Sequence, residues 1–223
     1  MTQIRTKLIL WTGKKHSGKT TSAAKLAKIA RNEGFTVAGL LAPCLYHNGR
    51  LIGFDAFDLQ SENRAPLARR NTRESETQPF TFIADGLKLG SVALSPIATE
   101  SSDLIIVDEF GPLELDRRGW RKNVDSLLGS SDALIVLVVR HELVETVKKL
   151  YKDVPCIEIA AGEQNSIDQV ITLLQQYKPA VKPPAKSAVR LADKYLAPCL
   201  GPRLAGTITR GSASRLEDAT LQD

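Results

Sequence analysis

The sequence predicts an α/β fold, a mostly parallel central sheet covered by helices on both faces, with one β-hairpin added. Three observations carry this. Short apolar, β-branched runs alternate with stretches of helical spacing up to Tyr177, the pattern of parallel strands joined by crossover helices. A glycine-bearing loop links the first apolar run to the first helical stretch. Asn48-Gly49 lies between two strand-like segments, where a two-residue hairpin wants positive φ.

Residues 7–12 are apolar and β-prone and stop at Gly13, as a buried central strand does. Residues 18–32 follow as a helix, with Ala23, Leu26, Ala27 and Ala30 on one face and Gly34 beyond its end. Residues 35–46 and 51–59 form the two arms of the hairpin. Residues 61–77 are polar and arginine-rich and are expected to be a loop. A short strand over 80–83 and a helix over 87–99 come next. Residues 104–107 are fully apolar and end in Asp108, which marks a core parallel strand. A helix in the later part of 115–128, a strand over 133–139, a helix over 141–151, a strand over 154–160 and a helix over 166–177 complete the alternation.

Residues 1–177 are expected to form one domain. From residue 178 the character changes. Five of the eleven prolines fall between Pro179 and Pro202, and residues 178–223 carry eight basic and four acidic side chains. Of the net charge of +5, that leaves +1 for the first 177 residues. Residues 178–223 are expected to be a linker and basic tail, disordered or docked on a protein partner. The nearly neutral domain gives no reason to expect a nucleic-acid surface. The apolar run 8–11 is too short for a leader or a membrane span, and no stretch reaches ~18 uncharged apolar residues. The expected location is the cytoplasm. Cys44, Cys156 and Cys199 include no C-x-x-C pair, so neither a disulfide framework nor a zinc site is expected.

The segment Gly13-Lys14-Lys15-His16-Ser17-Gly18-Lys19-Thr20 fits G-x-x-x-x-G-K-S/T. Its chemistry is that of a phosphate cradle. Backbone N–H groups of a tight loop and the positive end of the following helix favour anionic oxygens. Glycines allow the loop to wrap closely. Lys19 reaches the β- and γ-phosphates, the Thr20 hydroxyl is a hard oxygen ligand for Mg²⁺, and Thr21 is placed to donate to the α-phosphate. Lys14, Lys15 and His16 contribute backbone, with solvated side chains. The absence of G-x-G at the turn argues against a dinucleotide site.

Asp108 ends its strand, and in a parallel sheet ligands bind beyond the carboxyl ends of strands. It shares the edge of the phosphate loop if the two strands are neighbours, and there it can hold Mg²⁺. Glu109 is next, placed to orient and deprotonate an attacking water. Arg140 closes the strand over 133–139 and has two readings. It stabilises charge on a transferred phosphoryl group, or it pairs with an acid such as Glu142. Arg64, Arg69, Arg70 and Arg73 are read as a solvated basic loop, with a lid or partner surface as the alternative. His16, His47 and His141 show no metal-ligand spacing.

Three segments resemble a known family. They are the phosphate loop through Thr21; Val37-Ala38-Gly39-Leu40-Leu41-Ala42-Pro43 with the Asn48-Gly49 turn and Leu51-Ile52-Gly53-Phe54; and Ile106 to Leu115, which contains the string D-E-x-G-x-x-E-L. Over residues 6–177 the chain is similar to the P-loop nucleoside-triphosphatases first described from thermophilic organisms. The resemblance implies a RecA-like three-layer domain that cleaves nucleoside triphosphates to diphosphate and phosphate with little base selectivity. It maps the phosphate-binding lysine to Lys19, the magnesium hydroxyl to Thr20 and the acidic pair to Asp108 and Glu109. Lys14-Lys15-His16 departs from the family's usual glycine- or proline-rich loop.

Two other classes stand beside hydrolysis. A kinase would pass the γ-phosphate to a small nucleotide or metabolite seated on the arginine stretch 64–73. A nucleotide-dependent assembly module would use the tail. A guanine-specific switch is disfavoured because no N-K-x-D motif is present.

Overall fold

The computed structural model describes residues 6–71 and 79–177. The tail from 178 onward, Cys199 and Arg73 lie outside the described residues. The chain runs β1 (Leu8–Gly13), α1 (Lys19–Asn32), β2 (Val37–Leu41), β3 (Cys44–His47), β4 (Arg50–Asp58), β5 (Arg64–Arg70) and β6 (Phe80–Phe82). It continues with α2 (Ala84–Ala93), α3 (Pro96–Thr99), β7 (Leu104–Asp108), α4 (Pro112–Leu115), α5 (Arg121–Ser130) and β8 (Leu134–Arg140). A 3₁₀ turn at His141–Leu143, α6 (Val144–Leu150), β9 (Cys156–Ala160) and α7 (Ser166–Tyr177) complete it.

The strands form one sheet in the order β6-β5-β4-β2-β7-β8-β1-β9, with β3 paired to β4. From β2 to β9 every pairing is parallel; β3, β4, β5 and β6 are joined to the sheet antiparallel. The parallel strands alternate between two buried faces, as a doubly covered sheet requires. Ile9, Trp11, Leu104, Ile106, Leu134, Val136 and Val138 pack against Ala23, Leu26, Ala27 and Ala30 of α1 and Val170, Ile171 and Leu174 of α7. Leu8, Leu10, Ile105, Val107, Ile135, Leu137 and Val139 pack on the opposite side against Ala93, Val124, Leu127, Val144 and Val147. The result is a helix–sheet–helix sandwich. No helix among the described residues is long and apolar enough to cross a membrane.

Three expectations about elements change. The arm expected over 35–46 is two strands, because the chain breaks at Ala42-Pro43. The helix expected over 87–99 is also two. Ser95 caps α3 by accepting from Ala98 N–H at 3.2 Å, and Pro96 takes the first helical position, so Pro96 starts a helix and does not continue one. The helix expected in the later part of 115–128 is α5, and a separate turn, α4, precedes it. The arginine-rich stretch expected to be a loop contains β5. Asp55 on β4 is buried and takes Arg64 at 2.5 Å and Arg69 at 2.7 Å. Pro66 sits opposite the register irregularity between Phe54 and Asp55, a position that tolerates a missing N–H. The Asn48-Gly49 turn is as expected, with φ of 49° and 74°.

Candidate functional site

The phosphate loop leaves β1 at Gly13 and enters α1 at Lys19. A Cβ at Gly13 would lie 2.7 Å from Ser17 Oγ and 3.3 Å from Lys19 Cγ, so a larger residue would have to displace these side chains. Gly18 caps α1 with φ 82° and supplies no side-chain acceptor, and the first turn carries no acid. Its N–H groups therefore have no side-chain partner at the cap, which is the anion-binding arrangement of a helix N-terminus. His16 has φ 61°. A left-handed position in the loop is thus filled by His16, not by a glycine. Lys19 is 8% exposed, and its Nζ donates to Lys14 O at 2.9 Å.

Asp108 does not lie on the strand next to β1. β8 runs between them, with Gly13 paired to Arg140 and Asp108 to Val138. Because all three strands are parallel, their carboxyl ends still share one edge. Asp108 and the loop are two strand spacings apart, roughly 10 Å. Arg140 occupies the end of the strand between them.

Asp108 is 1% exposed. Burial pushes its carboxyl up to about 6; the Ala42 N–H, a hydrogen bond from the Thr20 hydroxyl and the Lys19 charge pull it down, and the Glu109 charge adds to the rise. The Ala42 bond is 3.1 Å long and comes from the break between β2 and β3. The partners present therefore do not offset the burial of this carboxylate. A hydroxyl and an undercompensated buried carboxylate, brought together at the phosphate loop, suit a hard divalent cation.

The peptide bond between Asp108 and Glu109 is cis. Glu109 Oε1 accepts from Arg140 Nε at 2.5 Å, and their side chains are 33% and 30% exposed. The acid that pairs with Arg140 is thus Glu109, not Glu142. The chain beyond is fixed by Phe110 N–H to Val138 O at 2.9 Å and by Glu114. This buried carboxylate accepts from Gly111 N–H at 3.0 Å and from Trp120 N–H at 3.3 Å. Burial raises its carboxyl against those bonds. The string D-E-x-G-x-x-E-L therefore encodes two acids at the cleft and a third that holds their loop.

These parts meet in one cleft of about 150 Å³. Lys15, His16, Ser17, Gly18, Lys19, Thr20 and Thr21 line it together with Asp108, Glu109 and Arg140. Gly13 and Lys14 support the loop without lining the cleft. The wall that sequence reasoning missed consists of Ala42, Cys44, Tyr46 and Phe54, at and beyond the end of β2. Arg64 and Arg69 are held by Asp55, and Arg70 lies over Phe80 with 6.0 Å to the ring centroid. None of the three lines the cleft.

A family model described as NTPase matches residues 8–172. The chain is similar to Nucleoside-triphosphatase THEP1 of Methanothermobacter thermautotrophicus, with 33% identity over 141 residues, 63% of this chain and 80% of that one. It is 31% identical to Nucleoside-triphosphatase THEP1 of Archaeoglobus fulgidus over 163 residues, 72% of this chain and 94% of the relative. The solution structure of a human cancer-related nucleoside triphosphatase has the same fold at a TM-score of 0.58 and 21% identity, covering 78% of this chain and 99% of that one.

Proposed function

The chain belongs to the NTPase family, and from that premise we propose that it hydrolyses nucleoside 5'-triphosphates, ATP and GTP among them, to the diphosphate and phosphate in a Mg²⁺-dependent reaction. The observation that carries this reading is the meeting of Lys19, Thr20, Asp108 and Glu109 at one edge of the sheet.

Each residue has a distinct task. The N–H groups of residues 13–18 and of the first turn of α1 bind phosphate oxygens. Lys19 leaves the Lys14 carbonyl for the β- and γ-phosphates. Thr21 donates to the α-phosphate. Thr20 and Asp108 would hold Mg²⁺, which would supply positive charge against the phosphate oxygens. Glu109 accepts a hydrogen bond from water and aims its oxygen at the γ-phosphorus. As the new P–O bond forms, the bond from the γ-phosphorus to the β,γ-bridging oxygen breaks and the diphosphate leaves with that oxygen. The proton from water passes to Glu109 and then to solvent.

The kinase alternative is less well supported, because two of the arginines of its acceptor stretch, Arg64 and Arg69, are paired with Asp55. The direct test is phosphate release from ATP and Mg²⁺ with no acceptor added. Release that appears only with an added acceptor would refute hydrolysis.

A further inference from the structure

Arg140 is more than a counter-ion. Its Nε is the nitrogen that meets Glu109. Among the described residues its two terminal nitrogens make no hydrogen bond or ion pair. Yet Arg140 lines the same cleft as Lys19 and Thr20 and is paired in register with Gly13, where the phosphate loop begins. A guanidinium carries five N–H donors in a fixed fork suited to phosphate oxygens. Four of the five are unspent here, in a cleft built for phosphate. The anion that enters competes with Glu109 for this cation.

We propose that Arg140 is a catalytic arginine in cis that recognises the γ-phosphate. In this structure it holds Glu109. When a triphosphate binds, the guanidinium turns toward the γ-phosphate, stabilises the charge there and leaves the Glu109 carboxylate to the attacking water. A diphosphate has no γ-phosphate and leaves the pair closed. The exchange is local, since both partners are about one-third exposed and their backbones are fixed in β8 and by the Phe110 bond to Val138. The role given to Glu109 rests on the proposed hydrolysis; the contact between Arg140 and the γ-phosphate does not.

The test compares affinity for ADP with that for a β,γ-imido ATP analogue, both with Mg²⁺, in the parent chain, Arg140→Ala, Arg140→Lys and Glu109→Gln. Arg140→Ala should weaken the triphosphate analogue about ten-fold or more and change ADP affinity less than about two-fold. Arg140→Lys should recover part of the loss, because it keeps the charge without the fork. Glu109→Gln removes the competing charge and should tighten the triphosphate analogue several-fold while leaving ADP unchanged. Equal losses for both nucleotides in Arg140→Ala, or no loss for either, would overturn the proposal. Phosphate release by the parent chain separates the two readings. If it hydrolyses ATP and Arg140→Ala keeps full discrimination, only the arginine proposal fails. If it releases none and discrimination still depends on Arg140, only hydrolysis fails.

Discussion

Lys19 Nζ donates to the carbonyl oxygen of Lys14 at 2.9 Å, so the loop itself supplies a partner for this ammonium. The contact stores the ammonium next to the place where phosphate oxygens would arrive. It contributes little to the fold, because Lys14 is exposed and its carbonyl can turn to water. Lys19→Ala is therefore expected to unfold at nearly the parent temperature while weakening nucleotide binding by about a hundred-fold or more and removing turnover. Equilibrium titration with ATP and Mg²⁺, alongside thermal denaturation, checks both parts.

Glu109→Gln separates binding from chemistry. The amide retains an oxygen at the position of Glu109 but cannot take a proton from water. Nucleotide should bind at least as tightly as in the parent, and phosphate release should fall by about two orders of magnitude or more. Single-turnover hydrolysis is the measurement. A normal rate would remove Glu109 from the mechanism.

The sequence made the phosphate loop, Asp108 and the hairpin turn legible because each is specified locally, by glycines, by a charge ending an apolar run and by Asn48-Gly49. What it hid depends on residues distant in sequence. β5 looked like a loop because nothing local neutralises Arg64 and Arg69; Asp55 does, from the neighbouring strand. Arg140 was visible as a strand-end cation, but its partner was misassigned, because β8 lies between β1 and β7 and so brings Arg140 beside Glu109. The cleft wall was hidden for a third reason. A regular two-residue hairpin would pair Cys44 with Gly53, whereas the irregularity between Leu45 and Tyr46 pairs it with Phe54. A one-residue shift of this kind decides which side chains share a face.

Gly39 lies in β2 with φ 114°, and a Cβ there would stand 2.0 Å from Ile106 O on β7. Neither the backbone angle nor the contact tolerates a methyl group. Gly39→Ala should lose about 3 kcal/mol or more of unfolding free energy. Because Ile106 is two residues from Asp108, activity should fall with stability even below the unfolding temperature. Urea denaturation reads the first effect and phosphate release the second; an unchanged midpoint would contradict the geometry.

Asp55→Ala tests whether the arginine stretch is structural. It leaves Arg64 and Arg69 beside a site with no acid. The chain should lose about 2 kcal/mol of stability, with nucleotide affinity little changed because neither arginine lines the cleft. If stability were untouched and activity lost, the stretch would instead serve the reaction.

Asp108 sets the function of the site against the stability of the fold. Burial raises its carboxyl from 3.8 to about 6 in the folded chain, so the native state holds this proton more tightly than the unfolded state. The stabilisation that results is complete below about pH 4 and is lost as pH rises through 6. At neutral pH the ionised carboxylate is therefore a burden on the metal-free protein. Asp108→Asn keeps an oxygen for the Ala42 N–H and carries no charge. Without Mg²⁺ it should be more stable than the parent above pH 6, by up to about 3 kcal/mol, and the difference should close toward pH 4. Mg²⁺ with nucleotide should stabilise the parent and do much less for the variant, which should also lose hydrolysis. Denaturation curves at pH 4, 6 and 8, with and without Mg²⁺ and nucleotide, carry the comparison. A variant no more stable than its parent at pH 8 without Mg²⁺ would mean that the cleft already neutralises Asp108 and does not need a cation to do so.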